Sequence, residues 1–124
     1  MIEITNQTVR EGLKALVDQA GEDFVYSMKG ADEYTDGRCL YVYEGKPDCI
    51  VGQFLANLGV PVERLAKADT NCGIPADVLM LELGLEGVIT FRDDSSYALT
   101  IAQRHQDMGK TWGLSFYEAL KVMD

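Results

Sequence analysis

A chain of 124 residues is close to the modal size of one domain and long enough to bury a hydrophobic core. Its 47% apolar and 25% charged residues are globular proportions that exclude intrinsic disorder, and no apolar run nears the roughly 20 residues of a bilayer span. With 11 basic against 20 acidic side chains, a formal charge of −9, it repels phosphate backbones and anionic lipid, which weighs against nucleic acid and membrane surfaces as partners.

Ile2 and Ile4 alternate with polar neighbours, the pattern of a short edge strand. Thr8-Val9-Arg10-Glu11 has the form of a capping box, in which hydroxyl and carboxylate each satisfy an orphan amide at a helix start. Val9, Leu13, Leu16, Val17 and Ala20 follow at helical spacing, and Gly21 is placed to end that helix. Residues 24–28 read as a strand from their aromatic and β-branched content, residues 29–38 as a polar loop, and residues 39–43 as the clearest strand of the chain. So short a separation cannot hold a crossover helix, so these two strands are expected to pair antiparallel.

After a turn at Glu44-Gly45-Lys46, Pro47 and Asp48 are expected to open a second helix, with Asp48 as its N-cap. Ile50, Val51, Phe54, Leu55 and Leu58 supply its buried face and Gly59 ends it. Residues 61–66 read as a further short helix, residues 75–83 as another, and the β-branched stretch 88–91 as a strand. Asp93, Asp94 and Ser95 offer N-caps for a last helical region, where Tyr97, Ile101, His105 and Met108 recur at helical spacing. Beyond Gly109, Thr111 offers another cap, and Trp112, Phe116, Leu120 and Met123 continue an apolar stripe; one long helix and two shorter ones both fit residues 95–123. The expectation is an α+β fold: a mainly helical single domain over residues 1–124, with about five helices and a small antiparallel sheet of two to four short strands.

The start, Met1-Ile2-Glu3-Ile4, has neither the basic segment nor the apolar stretch of a signal peptide. Three cysteines at unequal spacing (Cys39, Cys49, Cys72) do not describe a disulfide framework, and one histidine with no Cys-x-x-Cys does not describe a zinc site. A cytoplasmic protein without metal or cofactor is expected.

Cys49 and His105 are the candidate catalytic residues. A cysteine in the first turn of a helix feels the positive end of the helix dipole, which favours thiolate. Asp48-Cys49, an apolar helix and then Gly59-Val60-Pro61 resemble the NlpC-type cysteine peptidases, which pair such a cysteine with a histidine on a later strand. Here the only histidine, His105, lies in a helical pattern, and the commoner role of a free cysteine is that of a small buried hydrophobe. Residues 50–69 have a helix-turn-helix look, but the second helix offers only Arg64 and Lys67 beside Glu63 and Asp69, poor material for reading DNA on an acidic chain. Asp93-Asp94 and the Asp32, Glu33, Asp36 group lack calcium-loop spacing, so capping or solvation is the favoured role. Gln103, Gln106, Asp107 and Trp112 form a polar–aromatic group that serves either as a core anchor or as an interaction surface.

Three stretches together carry a resemblance: Cys39-Leu40-Tyr41-Val42, then Gly45-Lys46-Pro47-Asp48-Cys49-Ile50-Val51-Gly52 through Leu58-Gly59-Val60, then Ala102-Gln103-Arg104-His105-Gln106-Asp107-Met108-Gly109-Lys110-Thr111-Trp112-Gly113. In this pattern the chain resembles uncharacterised small proteins of actinobacteriophages and their actinobacterial hosts. The resemblance implies a context rather than a chemistry: a phage accessory protein in the host cytoplasm that binds a host protein, with a homodimer as a further option. Against this non-enzymatic reading stand a cysteine-dependent hydrolase using Cys49 and, lower, an acidic nucleic-acid decoy or a helix-turn-helix DNA binder.

Overall fold

The computed structural model describes residues 1–26, 42–43, 45–47, 49–66 and 85–123. The first strand, β1 (Ile2–Ile4), leads into α1 (Asn6–Ala20) through Thr5. The capping box lies three residues earlier than the Thr8–Glu11 pattern suggests. Thr5 is the N-cap, its hydroxyl accepting from the Thr8 amide at 3.2 Å while the Thr8 hydroxyl accepts from the Thr5 amide at 3.1 Å. Thr8 therefore closes the box from the N3 position, the place usually filled by Glu or Gln. The helix ends at Gly21 as expected, and Val9, Leu13, Leu16 and Val17 form its buried face.

The small sheets depart from the expected all-antiparallel arrangement. β1 pairs in parallel with β4 (Ile89–Phe91), with Ile2 opposite Ile89 and Ile4 opposite Phe91. A parallel pair requires a long connection, and here it is the greater part of the chain, α1 included. Among the described residues the antiparallel strand pair is a two-residue hairpin, β2 (Val42–Tyr43) with β3 (Lys46–Pro47). Of the strand expected at 24–28, Val25 makes one isolated bridge, to Thr111; the rest from residue 27 on lies outside the described residues, as does the helix expected at 75–83.

α2 (Ile50–Asn57) closes with the two crossed hydrogen bonds of a glycine-terminated helix, Gly59 amide to the Ala56 carbonyl at 3.0 Å and Val60 amide to the Leu55 carbonyl at 3.1 Å. A short helix at residues 62–66 follows, tucking Leu65 into the core beside Val60. Residues 95–123 form two helices, α3 (Ser95–Asp107) and α4 (Trp112–Val122). Gly109, at φ 81°, ends α3 with the same crossed pair (Lys110 amide to the His105 carbonyl, 3.1 Å; Gly109 amide to the Gln106 carbonyl, 3.0 Å), and Thr111 caps α4. Among the described residues there are thus four helices of eight residues or more, one short helix and two two-stranded sheets: α+β, mainly helical.

The inward faces of α3 and α4 differ from the stripes their bulky residues draw. α3 buries Ala98, Leu99, Ala102, Gln103 and Gln106, while Tyr97 and Met108 are 53% and 56% exposed. α4 buries Trp112, Ser115, Ala119 and, just past its end, Met123, leaving Phe116 and Leu120 half-covered. Small residues on the buried faces let these two helices pack more extensively on each other than any other pair among the described residues. Asn6 ties the ends together: its side-chain amide donates to the Met123 carbonyl at 3.3 Å, and its oxygen accepts from the Asp94 amide at 3.1 Å. None of the described helices is long and apolar enough to cross a membrane.

Candidate functional site

The first turn of α2 leaves amides without intrahelical partners, and side chains must meet them. Asp48 lies outside the described residues; the N-cap is Cys49, whose sulfur accepts from the Gly52 amide at 3.4 Å. The Ile50 amide is met from another element altogether, by Gln106 Oε1 of α3 at 2.8 Å. The same oxygen accepts from the Trp112 indole Nε1–H at 3.1 Å. Both neighbours are donors, so the carboxamide of Gln106 can present only its oxygen to them. Its Nε2 is left to donate to Asp107 Oδ1 at 3.1 Å, where Gln103 Nε2 donates as well, also at 3.1 Å. The circuit closes through Gln103 Oε1, which accepts the Cys49 thiol proton at 3.6 Å.

Cys49, Gln103, Gln106 and Trp112 are all buried, and the Phe24 ring packs edge-on to Trp112 with centroids 4.6 Å apart. Burial pushes the Asp107 carboxyl above its ordinary value near 3.8, and the hydrogen bonds from Gln106 and Gln103 pull it partly back. The structure thus brings Gln103, Asp107 and Trp112 together as a group, and adds Cys49 to them. A glutamine spacing of three on α3 was the signal in the sequence; the arrival of the α2 N-terminus, more than 50 positions earlier, had none.

The hydrogen bonds of this cluster join α2, α3 and α4. Cys49 is wholly buried, and its thiol donates to an amide oxygen instead of to a base. His105 is not brought to it: the Nδ1 of His105 is buried without a hydrogen-bond partner among the described residues. Arg64 is exposed on the short helix, and Lys67 lies outside the described residues. No group of three or more His, Cys, Asp or Glu side chains among the described residues is placed to hold a metal ion.

What the surface offers is a groove between α1 and α4. One recess of about 530 Å³ is lined by Val17, Leu114 and Phe116 with the carboxylates of Asp18, Glu22 and Asp23 at its edge. A second, of about 350 Å³, is floored by Phe116 and Leu120 under Arg10, Glu11 and Lys14. Lys14 and Phe116 line both, so the two adjoin. Leu114, in the lining of the first recess, is 39% exposed. Phe116 and Leu120 belong to the apolar stripe drawn from the sequence; their position at a half-open edge follows from the small residues that take the interior of α4. No family model, no curated protein and no solved structure matches this chain.

Proposed function

We propose that this chain acts by binding, as a non-enzymatic accessory protein of the phage type whose target is a host protein. The observation that carries the reading is the pair of adjoining recesses between α1 and α4, which leave Phe116 and Leu120 half-covered and Leu114 exposed. Large apolar side chains left at a surface recess are the usual material of a protein–protein contact. The one described thiol, in contrast, is spent inside the core on Gly52 and Gln103.

Leu114→Glu gives the cleanest test. Leu114 occupies the N3 position of α4 under the Thr111 cap, where a glutamate supports the helix, so the variant keeps its fold while placing a charge at the groove. Tagged native protein and the variant are each exposed to nuclease-treated actinobacterial lysate. One stoichiometric host protein retained by the native chain and lost from Leu114→Glu is the expected result. Equal retention by both, or no retained protein, overturns the reading.

A further inference from the structure

Resting on that binding role, we infer that the α1–α4 groove receives a basic amphipathic helix of the partner. Its walls are two neighbouring helices, and the row of Val17, Phe116 and Leu120 between them is a seam of the kind that accepts the ridge of a third helix. A partner strand would need an open sheet edge to bond to, and neither wall provides one. From Arg10 to Asp18 the α1 wall runs for about 12 Å, enough for two turns of an incoming helix and its anchors at i, i+3 or i+4, and i+7.

The charge of the occupant follows from the rim. Around the two recesses together four carboxylates, Glu11, Asp18, Glu22 and Asp23, stand against two cations, Arg10 and Lys14, among the described residues; the excess lies at the α4 N-terminal end, where Lys14 is paired with Asp18 at 3.0 Å. A helix N-terminus ordinarily invites an anion, but this one has no amide to offer. The Trp112 amide donates to the Phe24 carbonyl at 2.8 Å, the Gly113 amide to the Glu22 carbonyl at 3.1 Å, and the Leu114 amide to the Thr111 hydroxyl at 3.1 Å. The carboxylates are left to face outward, and the formal −9 of the whole chain repels a second copy, an acidic helix and an anionic membrane alike. Lysine or arginine on the polar face of the incoming helix, next to its apolar row, completes the site.

Two synthetic peptides test this, each about 15 residues so that a helix can form on docking. One carries a leucine row flanked by lysine, the other the same row flanked by glutamate. Each is titrated into isotope-labelled protein and followed by amide chemical shifts. The leucine–lysine peptide is expected to shift amides of α1 and α4 around the groove and to bind at least about tenfold more tightly than the leucine–glutamate peptide. Neutralising the rim together, Asp18→Asn, Glu22→Gln and Asp23→Asn, should weaken it by about tenfold, the sum of three modest exposed charge contacts. Equal binding of the two peptides, shifts centred elsewhere, or no loss on neutralising the rim overturns the inference. If Leu114→Glu still abolishes host capture in that case, the binding role stands and only the basic helix is rejected.

Discussion

Gln106 is the residue on which three helices meet, because one oxygen serves two donors that have no other acceptor among the described residues. The Ile50 amide at 2.8 Å and the Trp112 indole at 3.1 Å both point at Oε1 from inside the core. Gln106→Leu keeps roughly the volume and removes the acceptor, leaving two buried N–H groups unmet. At about 1–3 kcal/mol for each unsatisfied buried group, the variant should lose about 2–6 kcal/mol of unfolding free energy. That is a large share of what a domain of this size possesses, and it should appear as a clear drop in the urea midpoint with an unchanged slope. A loss under about 0.5 kcal/mol would mean that water or a shifted side chain meets both donors, and that the cluster is not what joins α2 to α3 and α4.

At the scale of elements, the contact between α4 and the segment after α1 is close enough to reverse an ordinary rule. Replacing a glycine inside an exposed helix by alanine stabilises it by about 1 kcal/mol. A Cβ on Gly113, however, would lie 2.7 Å from the Glu22 backbone oxygen, the same oxygen that accepts the Gly113 amide. A backbone atom cannot swing aside as a side chain can, so Gly113→Ala should lower the melting temperature rather than raise it. A rise would show that the two segments separate without cost. Much of this layer was legible in the sequence where the signals are local: Gly21, Gly109 and Thr111 mark helix ends by their own backbone needs and hydroxyls. The start of α1 was misplaced because two threonines three apart, Thr5 and Thr8, cap each other without the expected carboxylate. The pairing of β1 with β4 was not legible, since nothing in three-residue strands 87 positions apart names the partner. The inward face of α3 was hidden for a related reason: two glutamines are a fit interior only once Ile50 and Trp112 arrive as donors to Gln106 and the Cys49 thiol as donor to Gln103.

For the whole molecule the governing quantity is charge, and it acts on stability in the same direction as the buried cluster. The grouping of Gln103, Gln106, Asp107 and Trp112 could be read from one short stretch, but not that Asp107 would be half-buried with two amides on one oxygen. Burial raises its carboxyl pKa above the value near 3.8 that holds in the unfolded chain. Below 3.8 the group is neutral in both states and the fold bears no cost for it. As the pH rises through the raised folded value, the fold must hold a charge it would rather not hold, and that share of stability is lost. Self-repulsion of the acidic surface also grows over this range, so the native protein should be more stable near pH 5 than near pH 7. Asp107→Asn separates the two effects. It keeps an oxygen for both glutamine amides and removes the charge, while the surface carboxylates titrate as before. Thermal unfolding of both proteins across pH 4–7 should show the variant ahead at the neutral end, with its advantage shrinking as the acid end is approached. An advantage independent of pH would assign the whole dependence to the surface and none to the buried carboxyl.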